Sequence, residues 1–189
     1  MATTPVYKGN LTGDVTGQAG TLAAVTLGIP LHSLHAAATM KDAIADTPNG
    51  TTLGVADTSA ALLTATTDNG ASVTETAAFE FAVPAGYTAG DTITVRIRAK
   101  ISALPTVASS NTVDITAKLR GDAGLGSDIC TTAAQVTTTS MANYDFVVTP
   151  TGIVAGDVIE VVMTLAANDT GGTTNGIHTV SKIAVLIGA

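Results

Sequence analysis

The sequence predicts an all-β chain, a jelly-roll β-sandwich of two antiparallel sheets with eight or nine strands, preceded by an extended N-terminal arm. Three observations lead there. Residues 79–95, FEFAVPAGYTAGDTITV, and 144–161, YDFVVTPTGIVAGDVIEV, are two versions of one segment: an alternating strand, a Pro/Gly corner, a Gly-Asp turn and a second alternating strand. Thr, Val and Gly recur throughout, while aromatics are 3% of residues and Trp is absent, so composition favours sheet with a core of small and β-branched side chains. Candidate strands at 52–56, 60–66, 73–83, 92–102, 112–120, 129–138, 143–149, 157–167 and 178–187 are separated by loops of ordinary length.

Taken in order, residues 1–50 read as an arm or attachment segment and 51–189 as the jelly roll. The large side chains of 5–31 are too dispersed among Gly and Thr to build a core of their own, so the segment needs something to pack against. Leu34, Ala37, Ala38, Lys41 and Ile44 have helical spacing, which allows one short helix at about 34–45, stopped by Thr47-Pro48-Asn49-Gly50. Each repeat reads as a hairpin: Phe79, Phe81 and Val83, then Ile93, Val95, Ile97 and Ile101, point inward, leaving Thr94, Arg96, Arg98 and Lys100 outside. The second copy matches with Tyr144, Phe146 and Val148, then Ile159, Val161, Met163 and Leu165. In 112–120 the inward set is Val113, Ile115, Ala117 and Leu119. Two such halves suggest a jelly roll, and the closing KIAVLIGA, apolar on both faces, suggests oligomer contact.

Bulk properties exclude several classes. A length of 189 residues suits one domain plus an appendage. A net charge of −7 and a pI near 4.6 argue against a nucleic-acid partner. The longest apolar stretch, Ile183 to Ala189, is far below the ~20 residues of a membrane helix, so no membrane partner is expected. The start, MATTPVYKGN, lacks a basic region followed by an apolar core, so the expectation is a protein made and assembled in a cytoplasm. Cys130 is the single cysteine and reads as a buried, inert thiol.

The GNLTGDVTGQAG of residues 9–20 resembles motifs in the stalks and arms of bacteriophage fibre proteins. From Ile29 onward, IPLHSL, the Ala/Thr/Asp-rich stretch, F-x-F-x-V-P, TVDITAKLRGDAG, the second P-x-G-x-x-A-G-D and the closing apolar strand are together similar to jelly-roll proteins encoded among phage structural genes. The resemblance implies a capsid decoration or head-fibre protein, trimeric, on the outer surface of a virion assembled in the host cytoplasm, with the major capsid protein lattice as partner. In that reading Leu11, Val15, Leu27, Ile29 and Leu31 of the arm bury apolar area against capsid and sister subunits. Removing residues 1–31 should then leave a folded jelly roll that cannot attach. The alternative is a tail-associated receptor-binding or carbohydrate-binding jelly roll acting on a host surface glycan.

Candidate chemistry is sparse, and the sequence calls for no enzyme, cofactor or metal. His32 and His35 share a helical face but have no Cys, Asp or Glu close behind them. Asp122 and Asp128 bracket a glycine-rich loop whose bland reading is turn chemistry rather than calcium. Asp91 and Asp157 could be paired carboxylates for glycoside hydrolysis, but an acid copied together with its turn is better read as a turn former. No nucleophile elbow, phosphate loop or His-Glu-x-x-His is present. Arg96, Arg98 and Lys100, with Lys118 and Arg120 within possible reach, form a basic row that would dock on an acidic surface or pair with Glu80, Asp114, Asp145 and Glu160. A sugar site would need an exposed aromatic, and only Tyr7 and Tyr87 lack inward parity in the repeat.

Overall fold

The structure is a computed structural model that describes residues 24–36, 54–56, 62–66, 72–102, 111–168 and 177–188. Its strands are β1 (Val25–Ile29), β2 (His35–Ala36), β3 (Gly54–Ala56), β4 (Leu62–Thr66), β5 (Ser72–Ala82), β6 (Ile93–Ile101), β7 (Thr112–Gly121), β8 (Gly124–Asp128), β9 (Gln135–Val136), β10 (Ala142–Val148), β11 (Val158–Asn168) and β12 (Ile177–Ile187). One antiparallel sheet, sheet A, runs β10-β6-β12-β4-β3, with β1 beside the other end of β12; sheet B runs β2-β5-β11-β7-β8, with β9 also on β7. From β4 to β12 the long strands alternate between sheets, which is the connectivity of a jelly roll. The all-β jelly-roll prediction therefore holds.

Alternation along the strands sets which faces meet. Phe79, Phe81, Ile93, Val95, Ile97, Tyr144, Phe146, Ile159, Val161, Met163 and Leu165 are all buried in one core, joined by Val113, Ile115, Ala117, Ile183, Val185 and Ile187. Leu119 is only partly buried, packed against that core.

The repeat is not a pair of hairpins. β5 lies in sheet B and β6 in sheet A, β10 in A and β11 in B, so each copy is an arch that carries the chain from one sheet to the other. The copies pair with each other instead, β5 with β11 and β6 with β10. The corners also touch: the Val83 N–H donates to the Asp157 carbonyl at 2.7 Å and the Gly156 N–H to the Val83 carbonyl at 2.9 Å. The ten corner residues of the first copy (83–92) and the nine of the second (149–157) are too many for a tight hairpin and suffice to cross the sandwich.

The arm prediction needs correcting at its C-terminal end. β1 is hydrogen-bonded to β12 from Val25↔Ile187 to Ile29↔Ile183. Leu27 and Ile29 pack on the core and Leu31 is buried within it, so these three are engaged by the chain's own sandwich. The sandwich thus includes residues 25–36, and the boundary at 50/51 falls inside it. Leu11 and Val15 lie outside the described residues. Leu31–Ser33 form one 3-10 turn and His35–Ala36 pair with β5, so 34–36 are extended where a helix was expected; 37–45 lie outside the described residues.

The expected strand at 129–138 is also replaced. β8 and β9 are short, and between them the chain closes the free edge of β10: Thr131 N–H donates to the Val147 carbonyl, Thr149 N–H to the Ile129 carbonyl, and Gln135 Nε2 to the Asp145 carbonyl. Ile129 N–H bonds the Ala117 carbonyl of β7 as well, so this segment laces the two sheets together. Capping an edge strand in this way removes a template for intermolecular pairing.

Candidate functional site

Sheet A presents its outer face in three rungs. Asn143, Arg98 and Lys182 are register neighbours across β10, β6 and β12; Asp145, Arg96, Ala184 and Gly28 form the next rung, continued onto β1; Val147, Thr94, Leu186 and Thr26 form the third. Between them lies a hollow of about 350 Å³ lined by Thr26, Arg96, Arg98, Asn143, Lys182, Ala184 and Leu186. Its floor is low because Ala184 is small. A second, more open hollow of about 500 Å³ adjoins it at Lys182 and runs past Gly28, Pro30 and Ser181. Sharing Lys182, the two form one furrow.

Lys182 reaches this face through an irregularity. Strict alternation from buried Val180 would point residue 182 into the core. The ladder between β12 and β6 instead shifts between Val180 and Lys182, so Ser181 is an extra residue, Lys182 turns outward and Ile183 inward. The Ser181 hydroxyl donates to the Arg98 carbonyl at 3.3 Å inside the bulge.

The cations of the furrow are differently engaged. Arg96 makes a two-pronged ion pair with Asp145, Nε to Oδ1 and Nη2 to Oδ2, both at 2.6 Å. That pairing holds the Asp145 carboxyl below its ordinary range and raises the Arg96 guanidinium. Arg98 reaches only the Asn143 amide oxygen, at 3.3 Å, and among the described residues neither it nor Lys182 has a carboxylate within ion-pair distance. Lys118 and Arg120 do not extend this row, because β7 belongs to the opposite sheet. There Arg120 is held by Glu80 and by Glu160, the latter at 3.2 Å, as cross-strand pairing allowed.

The other candidates resolve into structural roles. Asp91 Oδ2 accepts the Thr88 N–H at 3.2 Å and Asp157 Oδ2 accepts the Val154 N–H at 2.8 Å, the same bond in both copies. Gly90 and Gly156 beside them have φ of 100° and 91°, open to glycine and strained for other residues. Asp128 Oδ1 accepts the N–H groups of Ala117 and Cys130, both at 2.9 Å, and Asp122 is exposed. Cys130 is half-buried, and burial pushes its thiol upward in pKa, away from the reactive thiolate. His35 lies on the edge strand β2; the side chain of His32 is outside the described residues. Among the described residues no three His, Cys, Asp or Glu side chains cluster to hold a metal. Tyr87, a sugar-stacking candidate, is 7% exposed with its hydroxyl donating to the Asp91 carbonyl at 3.1 Å, so its ring is part of the corner.

No protein-family model matches the chain, and no curated sequence matches it. Among solved structures, a xylan-binding module, CBM15, is similar over 87% of this chain and 97% of its own, at 15% identity and a TM-score of 0.46. A CBM22-1 xylan-binding domain from Paenibacillus barcinonensis is similar over 74% of this chain and 83% of its own, at 11% identity and a TM-score of 0.41. TmCBM61, in complex with β-1,4-galactotriose, is similar over 89% and 91%, at 12% identity and a TM-score of 0.40. Likeness at this level says nothing of ligand, and the jelly-roll assignment rests on the strand order itself.

Sequence reasoning had found Arg96, Arg98 and their Asp145 partner. It missed Asn143, Lys182, Ala184, Gly28 and Thr26. Lys182 was hidden by the bulge, and β1 had been assigned to the arm.

Proposed function

We propose that this chain is a non-catalytic jelly-roll module that binds saccharide along the furrow of sheet A. The observation that carries the reading is the concave strand face itself, floored by Ala184 and lined by guanidinium, ammonium, amide and hydroxyl groups within a volume suited to a small ligand. With Tyr87 buried, binding proceeds by hydrogen bonds and charge rather than by stacking on that ring. The carboxylates best placed by sequence for catalysis, Asp91 and Asp157, are occupied in their turns. A glycan array tests the reading: hits should vanish in Ala184→Trp, which fills the hollow, and an array without hits refutes it.

A second reading concerns where the module works. Residues 9–20 and the order of segments after Ile29 favour display on a bacteriophage particle, as a decoration or head fibre on the major capsid protein lattice, arranged as a homotrimer and attached by residues upstream of β1. Immunogold electron microscopy of particles tests it. Label over the head supports decoration, label at the tail supports adsorption, and unlabelled particles refute both.

A further inference from the structure

We infer that the furrow on sheet A selects saccharides carrying an anionic substituent, a carboxylate or sulfate, held between Arg98 and Lys182; this rests on the saccharide-binding reading above.

The repeat supplies an internal control. β6 and β11 are corresponding strands of the two copies, each central in its sheet. Their inward positions agree in character: Ile93, Val95 and Ile97 in one, Ile159, Val161 and Met163 in the other. Outward, Arg96, Arg98 and Lys100 of β6 correspond to Val162, Thr164 and Ala166 of β11. The arch folds with uncharged residues at those positions, so its architecture does not require the cations.

Their placement also carries a cost. Arg98 and Lys182 lie directly opposite each other on the β6–β12 ladder, and like charges across a ladder are destabilising. The bulge at Ser181 is what brings Lys182 to that place. Across the outward positions of β6, β10 and β12 stand Arg96, Arg98, Lys100 and Lys182, half of the chain's 8 Lys and Arg, against Asp145 alone, in a chain of net charge −7. An anion between Arg98 and Lys182 relieves their repulsion, and the field of the face draws it in. Asp145 occupies Nε and Nη2 of Arg96, leaving Nη1 for a ligand. An acidic protein surface would satisfy the charge as well, but the hollow is concave over Ala184, which a sugar ring can enter and a flat protein face cannot.

Affinity electrophoresis and calorimetry of the full chain with polygalacturonate, neutral xylan and polyglutamate test this. Polygalacturonate should bind in about 0.1 M salt and weaken strongly in about 1 M, where the screening length falls from about 10 Å to about 3 Å. Arg98→Gln and Lys182→Gln should each weaken it at least about ten-fold. Lys118→Gln, on sheet B, should leave it unchanged, with circular dichroism confirming that all three variants fold. Equal binding of xylan, indifferent to both substitutions, overturns the anionic preference and leaves the saccharide reading standing. Polyglutamate binding as tightly as polygalacturonate overturns the saccharide and assigns the face to an acidic protein. Binding of none of the three overturns both readings.

Discussion

Lowering the pH from 7 to 5 should cost this domain about 2 kcal/mol of stability through one side chain. His178 on β12 is fully buried, its Nε2 2.8 Å from Thr137 Oγ1, which in turn lies 3.1 Å from the Asn111 carbonyl. The chain Nε2–H to hydroxyl to carbonyl satisfies each of these atoms, while Nδ1 has no partner among the described residues. Burial pushes the pKa of His178 down to about 4 from 6.5. The unfolded chain therefore takes up a proton near pH 6.5 that the folded protein refuses until about pH 4, so stability is full above 6.5 and declines as pH falls through that window. At about 1.4 kcal/mol per pH unit the whole loss is about 3 kcal/mol, of which about 2 has occurred by pH 5. Urea unfolding at pH 7, 6 and 5 should show it. The low carboxyl of Asp145 loses its contribution only below the ordinary carboxylate range, so this window isolates the imidazole. His178→Gln should flatten the profile whatever its effect on stability at pH 7. A wild-type stability unchanged from pH 7 to 5, or an NMR titration placing folded His178 near 6.5, would refute the reasoning.

Gly156→Ala should lower stability by about 1–2 kcal/mol, since φ of 91° strains an L side chain even though space is open; denaturant midpoints check it. Tyr87→Ala should cost about 3 kcal/mol by emptying its place under the corner, with or without a glycan present, as thermal melting would show. Deleting residues 1–31 should markedly lower the melting temperature rather than spare the fold, because it removes the β1 ladder and the packing of Leu27, Ile29 and Leu31.

What was legible in the sequence was parity. Where a strand keeps period two, as in Ile93–Ile101 or Ala142–Val148, one row of residues fixed both the core and the outer face, so Arg96, Arg98 and Asp145 emerged on the same side. Partner identity was not legible. Two alternating strands joined by a Pro/Gly corner look alike whether they pair with each other or arch between sheets, and only the second copy, lying alongside, decides it. Val25–Ile29 escaped because its Gly and Thr faces read as linker; its Leu27 and Ile29 find a core only once β12 is beside them. The turn roles of Asp91 and Asp157 were readable because repetition exposed them.

The break in parity at Ser181 of β12 is where the furrow gains its second uncommitted cation. Fold stability alone favours β12 without a bulge, with an apolar residue following Val180 on the inner face. Ser181 interrupts that pattern, and the strand resumes with Ile183, Val185 and Ile187 fully buried and Lys182 outside. Deleting Ser181 removes the extra residue and restores regular alternation, with Val180 inward, Lys182 outward opposite Arg98 and Ile183 inward, and with the registers against β6 and β1 kept. Ser181→Ala keeps the extra residue and loses only the 3.3 Å bond to the Arg98 carbonyl. The deletion should therefore unfold at a denaturant midpoint no lower than that of the substitution, and a much lower midpoint would mean that Ser181 is not the extra residue of the ladder.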